Sequence, residues 1–312
     1  MEYIKFLEIN NFKHLNNFQV NNFGKVNLIG GKNNIGKTSL MEALYINIYS
    51  KTFNNFLQAI ADIYYYRVHK QDLKLDEIFF NIDDIEIITN LNKLKFNIEK
   101  KDARTIVNIQ SNFFDIKENK NKIDLNPIKN NKVTFLETNL LSDKQLKEFY
   151  KYVQLKDEEY KIDEFLQEFD NNIKKFKFVG DVPKIKLQSD EFIDLYNFGE
   201  GTKRMISFIC ALFKSENGVL FIDEIENGIW YKNMEIVWEV IFELAYKLNI
   251  QVFITTHSKE SISAFNKIQQ KYENSFYCEM YKNIKENKIE MRFLDFKQLK
   301  YELTHNGEFR GE

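Results

Sequence analysis

Five side chains have types and settings that could do chemistry: Lys37, Thr38, Asp223, Glu224 and His257. The first two close the run Gly31-Lys32-Asn33-Asn34-Ile35-Gly36-Lys37-Thr38, where two glycines separated by four residues precede Lys and Thr. That is the pattern of a phosphate-binding loop. Glycine lets the backbone turn tightly and approach a phosphate with no side chain in the way. Successive N–H groups then point into one concavity, and a following helix adds the positive end of its dipole. Lys37 would neutralise the β- and γ-phosphates of a nucleotide, and the Thr38 hydroxyl would hold Mg2+. The bland alternative is a Gly turn opening an ordinary helix.

The acidic pair sits elsewhere in the chain. Val219-Leu220-Phe221-Ile222 is an apolar run ending in Asp223-Glu224. Asp223 would bind Mg2+ through water, as the acid of a Walker B strand does. Glu224 is the candidate general base for the attacking water, against the alternative of a surface or capping carboxylate. His257 lies in Thr255-Thr256-His257-Ser258 and could sense the γ-phosphate, although a lone histidine is more often structural. Gly199-Glu200-Gly201 opens a further helix whose N-terminus could bind an anion. Since the first loop already cradles the phosphates, this corner is assigned to the γ-phosphate of a nucleotide held by another copy. Two chains related head to tail by a two-fold axis would form two composite sites. Lys203 and Arg204 could add charge in trans. A plain Gly turn before a core helix is the alternative.

These residues need elements to hold them. Val26 to Ile29 reads as a buried strand, and Leu40, Leu44 and Ile48 recur at helical spacing after the loop. Tyr3 to Ile9 and Phe18 to Val20 read as paired strands, and Phe53 to Tyr64 as an amphipathic helix. Ile85-Ile87, Leu94-Phe96-Ile98 and Ile106-Ile109 follow the period of antiparallel strands, with a turn over Asn90 to Lys93. Residues 111–131, containing Pro127, are polar and read as a loop or linker. Leu146, Phe149, Tyr150 and Val153 mark one helical face, and Ile162, Phe165, Leu166, Phe169 and Ile173 another. Lys184 to Leu187 reads as a strand. From Ile206 onward the order is helix, buried strand, helix (Ile236 to Leu248), then buried strand (Ile250 to Ile254), which implies a parallel α/β sheet. A hairpin over Phe276 to Tyr281 and Ile289 to Phe293, and a short helix over Phe296 to Thr304, complete the reading. In such sheets ligand groups cluster at the carboxyl ends of strands. The loop, Asp223-Glu224 and His257 all fall there, so three separate motifs predict one site. The expected division is an N-terminal lobe over 1–110, a mainly helical insertion over 111–180 and a C-terminal lobe over 181–312.

Composition narrows the class. With 312 residues, 44% hydrophobic, the chain can build a large domain or two small ones. Lys+Arg of 44 against Asp+Glu of 46 leaves net charge −2, so no global basic excess advertises nucleic acid. Cys210 and Cys278 both lie in apolar segments and are expected as buried free thiols, and no Cys/His cluster suggests zinc. Neither a signal peptide nor a membrane-spanning run is read, so a cytoplasmic protein is expected.

At these residues the chain resembles the ABC-type ATPases of the SMC, RecF and OLD group, and most of all stand-alone bacterial AAA-type ATP-binding proteins. Ile4 to Lys13 resembles their first strand and nucleotide-facing turn, which would place Lys13 at the nucleotide. Gly31 to Thr38 matches their Walker A, Asn33 included; Phe198 to Arg204 resembles the signature segment, and Thr255 to Ser258 the switch-histidine segment. Glu226-Asn227-Gly228 resembles the D-loop, although Ile229-Trp230-Tyr231 stands where the family has Leu-His-Pro. Gln58 is the one candidate for a Q-loop glutamine. The short segment 111–180 stands in place of the SMC coiled-coil arm, and no C-terminal TOPRIM nuclease is expected after the sheet. The implied fold is a P-loop NTPase with an ABC-type head: a mixed α/β core, an antiparallel β subdomain and a helical insertion. The implied cofactors are ATP and Mg2+. Nucleotide-binding residues are then Lys13, Gly31, Asn33, Asn34, Ile35, Gly36, Lys37, Thr38 and Ser39, with Gly199, Glu200 and Gly201 acting from the second copy. Thr38 and Asp223 would hold the metal, and Glu224, His257 and Lys37 would be catalytic.

Three functions fit this pattern. One is an ATPase switch that closes as a homodimer or larger homo-oligomer on ATP, opens on hydrolysis, and controls a nuclease or toxin from another chain in anti-phage defence. The second is a DNA-repair ATPase that clamps duplex DNA directly, whose binding would be salt-sensitive. The third is a scaffold that binds nucleotide without hydrolysing it, against which Glu224 argues. None involves a membrane.

Overall fold

The computed structural model describes residues 2–68, 82–101, 104–120 and 132–305. β1 (Phe6–Asn10) and β2 (Phe18–Asn21) precede β3 (Val26–Gly31), the phosphate loop and α1 (Lys37–Tyr49). After α2 (Phe53–Val68) come four antiparallel strands, β4 (Ile82–Thr89), β5 (Lys93–Lys101), β6 (Arg104–Gln110) and β7 (Asp115–Lys120). β8 (Val133–Leu136) leads to α3 (Asp143–Gln154), α4 (Glu159–Phe169) and three short strands, β9 (Ile173–Val179), β10 (Val182–Leu187) and β11 (Phe192–Asp194). The rest is α5 (Glu200–Lys214), β12 (Val219–Ile222), α6 (Met234–Lys247), β13 (Gln251–Thr255), α7 (Lys259–Gln269), β14 (Ser275–Asn283), β15 (Lys288–Leu294) and α8 (Phe296–Thr304).

Two large sheets organise these elements. One is antiparallel, in the order β2-β1-β4-β5-β6-β7. The other runs β15-β14-β3-β13-β12-β8, parallel except for β15 at its edge. β8, β12 and β13 are buried at every position and mostly apolar, as strands covered on both faces are. α1 lies between the two sheets, packed on β3, β8 and β13 on one side and β4 on the other. That position explains why it is buried all round rather than along one stripe. One apolar core fills the space around α1, and a second gathers α3 to α8 on the opposite face of the parallel sheet.

Buried amides pin the layers together. Asn47 of α1 donates to Ile87 O (2.7 Å) and Asn92 O (3.0 Å), while Thr89 Oγ1 donates to its side-chain oxygen at 2.9 Å. Gln251 accepts from the Ile4 N–H and donates to Ile4 O and Gly24 O, each at 2.8 Å, so the first strand is tied to β13. Both amides are fully buried, where an unpaired polar atom would cost about 1–3 kcal/mol.

The sequence reading holds for most elements and needs correction at three places. Residues 111–131 are not loop throughout: Asp115–Lys120 pairs antiparallel with β6 as an edge strand, while Pro127 lies outside the described residues. Ile173 does not continue the preceding helix; α4 stops at Phe169 and Ile173 begins β9. The segment 111–180, expected as mainly helical, mixes α3 and α4 with three strands, two of which extend the large sheets on either side. Cys210 and Cys278 are buried free thiols, as expected.

Candidate functional site

Strand register brings the separate motifs to one edge. Leu28 of β3 stands opposite Ile254, Ile254 opposite Ile222, and Ile222 opposite Leu136. The four parallel strands therefore end level, and their next residues form one rim: the Gly31 loop, Thr256-His257, Asp223-Glu224 and Glu137-Thr138. Hydrogen bonds carry the alignment past the strands, with Asp223 N–H donating to Leu136 O (2.9 Å) and Ile225 N–H to Thr255 O (3.2 Å).

A cavity of about 1050 Å3 opens at this rim. Lys13, His14, Asn33, Asn34, Gly36, Lys37, Thr38, Ser39, Glu224, Glu226, Asn227 and His257 line it. Gly31 and Ile35 shape the loop from behind. Gly36 caps α1 with φ of +108°, a conformation that favours glycine, and leaves the first N–H groups of the helix facing the cavity side. Lys37 Nζ donates to Gly31 O (2.8 Å) and Lys32 O (2.9 Å), so the amine sits inside the loop it belongs to. Burial lowers its pKa to about 8, against the pull of the Asp223, Glu226 and Glu224 carboxylates.

Asp223 lies below the cavity, largely buried. Thr255 Oγ1 donates to its Oδ1 at 2.6 Å, and Thr38 Oγ1 lies 3.2 Å from both carboxylate oxygens. Burial pushes the carboxyl above its ordinary range, and the Thr255 hydroxyl opposes that shift. A buried carboxylate beside a hydroxyl is a hard-oxygen pair that a divalent cation would relieve of its desolvation cost, so these two side chains fit Mg2+. Among the described residues no three His, Cys, Asp or Glu side chains converge on one point. A cation here would therefore draw its other oxygens from water and phosphate, the usual habit of Mg2+.

Glu224 follows with φ of +48°, in the left-handed region that few non-glycine residues occupy. The turn aims its carboxylate back at the cavity. Asn227 Nδ2 donates to Glu224 Oε2 at 2.8 Å, and His257 Nε2 stands 3.5 Å from Oε1. Thr255 Oγ1 accepts from the Glu224 N–H (2.8 Å) while donating to Asp223, so one hydroxyl sets both acids. Glu226 holds the neighbouring strand end: its oxygens accept from Thr256 Oγ1 (2.7 Å) and the His257 N–H (2.5 Å). The arrangement can hold a phosphate chain on backbone N–H groups, seat a cation beside it, and place a carboxylate and an imidazole at the chain's far end.

Other predicted residues lie elsewhere. Lys13 reaches the cavity from the turn after β1, where its amine forms an ion pair with buried Glu42 of α1. Gly199, Glu200 and Gly201 do not line the cavity. They form the N-terminus of α5, with Gly199 and Glu200 exposed and no side-chain cap on the first N–H groups. The corner packs on the segment after the acidic pair: a Cβ added to Gly201 would meet Gly228 O at 2.9 Å. Arg204 is corrected by the structure, and Lys203 has a partner within its own chain. The Arg204 guanidinium is buried and donates to Thr138 O, Asp223 O (3.3 Å) and Glu224 O (3.2 Å), so it is turned into its own chain and away from any second copy. Lys203 is paired with Asp143 at 2.8 Å. Gln58 is not at the site either: its amide donates to Asp62 one turn along α2.

Sequence reasoning missed His14, Thr138 and Glu137 as members of the site, and gave Glu226, Asn227 and Thr255 no task of their own. Glu226, Asn227 and Thr255 lie within segments already singled out by resemblance, the D-loop and the switch-histidine segment. Glu137 and Thr138 became visible only once β8 was seen to lie beside β12. Burial, Asp223 and Asp62 together hold the Glu137 carboxyl up at about 7.

Comparison with known proteins bears on this geometry. Residues 26–263 match the family described as "AAA domain, putative AbiEii toxin, Type IV TA system". An "ATP/GTP phosphatase" of Helicobacter pylori (strain ATCC 700392 / 26695) is 30% identical over 115 residues, which are 35% of this chain and 31% of that protein, so the match spans about a third of the relative. Among solved structures, the SMC head domain from Thermotoga maritima superposes with a TM-score of 0.52 at 10% identity, covering 94% of this chain and all of that one. The Smc head domain with an extended coiled coil, bound to the C-terminal domain of ScpA and derived from Pyrococcus furiosus, gives a TM-score of 0.55 at 10% identity over 98% of this chain and all of that one. At such identity these two likenesses speak for the fold. With more than half its length matched, and with a phosphate loop facing an acidic strand end, the chain belongs to this AAA-domain family and has the P-loop fold of an SMC head domain.

Proposed function

We propose that the chain is an ATP-hydrolysing switch: it dimerises head to tail around ATP and Mg2+ and controls an effector carried by another chain. One observation carries this reading. The phosphate loop and the Glu224–His257 pair line one cavity, with Asp223 held beneath it against Thr38, while Gly199 and Glu200 face solvent on the same chain. The corner's uncapped N–H groups suit an anion that this chain does not itself present there.

Each residue then has a task. Backbone N–H groups of residues 33–39 hold the phosphates, with Lys37 turning from its loop carbonyls to neutralise them. Thr38 and Asp223 hold Mg2+, which supplies charge neutralisation at the phosphates. Glu224, steadied by Asn227 and His257, accepts a proton from the attacking water, and His257 registers the terminal phosphate. Lys13 adds charge from the β1 turn. A second copy's Gly199-Glu200-Gly201 covers the same phosphate, so the closed state lasts only while that phosphate is attached.

The effector half rests on kinship. The family's description names a toxin–antitoxin system, and one solved relative is a head bound to a partner protein's domain. A nuclease or toxin deployed against phage is the effector that fits, and a cytoplasmic site of action belongs to the same reading. Among the described residues no helix is long and apolar enough to cross a membrane. Single-turnover hydrolysis tests the enzymatic half: Glu224→Gln should slow the chemical step by about a hundredfold or more while ATP still binds. Equal rates would remove Glu224 as the base. Co-purification with and without a non-hydrolysable ATP analogue tests the other half. Recovery of a nuclease or toxin is expected, and recovery of DNA alone would point to direct DNA clamping instead.

A further inference from the structure

Glu226, two residues beyond Glu224, brings a further carboxylate to the cavity wall. The segment around it builds its setting. Ile225 and Ile229 are sunk in the core and bracket three residues that lie nearer the surface. The Asn227 N–H donates to Glu224 O (3.1 Å) and the Ile229 N–H to Glu226 O (3.0 Å), so the backbone closes the turn twice. From there the Glu226 side chain crosses to the end of β13. Its Oε2 accepts from Thr256 Oγ1 at 2.7 Å, and its Oε1 from the His257 N–H at 2.5 Å. The Thr256 hydroxyl in turn accepts from the Ser258 N–H at 3.1 Å, and the Thr256 N–H donates to Ile29 O at 3.1 Å. His257 is therefore held at its own N–H and through both neighbours. That fixes the point from which its half-buried imidazole extends, and Nε2 of the ring stands 3.5 Å from Glu224 Oε1.

We infer that Glu226 is a positioning residue for hydrolysis: it clamps the main chain of His257 so that the imidazole addresses Glu224 and the terminal phosphate together. This rests on the ATPase reading above. Electrostatics argues that the carboxylate is not there to bind nucleotide. Burial lowers the Lys37 pKa, and Glu226 is one of three carboxylates that oppose the shift, after Asp223 and ahead of Glu224. Its charge is thus felt at the phosphate loop. An anion there, with no metal to hold and no proton to take, repels a triphosphate. The clamp offsets that repulsion, because one carboxylate accepts two bonds at once and charge-assisted bonds are the stronger kind. Binding and chemistry therefore pull in opposite directions at this residue. A side chain that merely braced the turn would weaken both together.

The test pairs single-turnover hydrolysis with calorimetric binding of Mg·ATP. Glu226→Ala should slow hydrolysis by about tenfold to a hundredfold, the range for a misplaced group, while ATP binds no more weakly than to wild type. Glu226→Gln keeps an oxygen for the His257 N–H without the charge, so it should recover most of the rate and none of the repulsion. Since Glu226 acts through His257, the double variant Glu226→Ala/His257→Ala should be no slower than the slower single variant, the non-additive outcome of a mutant cycle. Thermal unfolding without nucleotide checks that each variant folds. Should Glu226→Ala not fold, Glu226→Asp takes its place: it keeps the charge but falls one methylene short of the two donors, so it should be slow at unchanged ATP affinity. Four results overturn the inference: a wild-type rate in Glu226→Ala or its Asp substitute, a loss of ATP affinity in either, rate losses that multiply in the double variant, or His257→Ala hydrolysing like wild type. Failure of the underlying reading looks different: wild type itself would hydrolyse no ATP, or Lys37→Ala would bind it unimpaired.

Discussion

Thr255 shows how much of this site hangs on single atoms. Its hydroxyl donates to the Asp223 carboxylate and accepts from the Glu224 N–H, so both acids of the pair are set by one group. Gly36 is as constrained. Its φ of +108° strains any other residue, and His14 occupies the space a side chain would take. Gly36→Ala should therefore abolish measurable ATP binding while the protein still folds, which calorimetry and circular dichroism would check side by side. Lys37→Ala removes the amine without disturbing the backbone and should weaken ATP by about a hundredfold, on the scale of two charge-assisted hydrogen bonds. Arg204 makes the opposite point. Three carbonyls at the rim accept from its guanidinium, so Arg204→Met leaves them unpaired in a buried setting. Urea unfolding should show a loss of about 3 kcal/mol or more, in the range of broken buried polar networks.

At the scale of elements, α2, β8 and α5 meet over a polar cluster beneath the acidic strand. Asp62 accepts from Tyr45 and Gln58 at 2.7 Å each, and Lys214 Nζ donates to Thr134 Oγ1 at 3.0 Å while lying over the Phe149 ring. Burial lowers the Lys214 amine to about 8, with Asp62 and Glu148 opposing. In the unfolded chain the same amine keeps its proton up to about 10.4. Between these values the unfolded state holds more protons, so the contribution of Lys214 to stability is present above the window and is lost as pH falls through 8. Lys214→Met should flatten the rise of unfolding free energy between pH 8 and 10, measured by urea titration at several pH values. Much of the fold was legible because its motifs are local: glycine spacing for the loop, four-residue apolar runs for β12 and β13, and turn residues for the hairpins. What escaped depends on neighbours. β7 shows one apolar residue in Asp115–Lys120, since an edge strand needs only a partner's backbone. β8 is too short for periodicity to classify. Arg204 belongs to a residue type that is seldom buried, so its sequence gave no hint that strand-end carbonyls would enclose it.

For the whole molecule the central question is association. Gly199 has φ of +121° and open space around the position of a Cβ, so a side chain there strains the corner and projects toward whatever docks on it. In the slow-hydrolysing Glu224→Gln background, ATP should shift the protein from monomer to dimer in size-exclusion chromatography with light scattering. Adding Gly199→Val should abolish that shift and leave ATP affinity within about threefold, because the corner does not line its own chain's cavity. Persistence of the dimer would place the contact elsewhere. α5 joins these scales. It begins at the exposed Gly199 corner, and one turn later Arg204 grips the peptide carbonyls of Asp223 and Glu224. In the proposed dimer, pressure from a docked neighbour on the tip of that rod would be transmitted as a tug on the very peptides that carry Glu224. A copy that covers another's triphosphate would thereby reset its own acidic pair, and the two nucleotides of one pair would then fire as coupled rather than separate events.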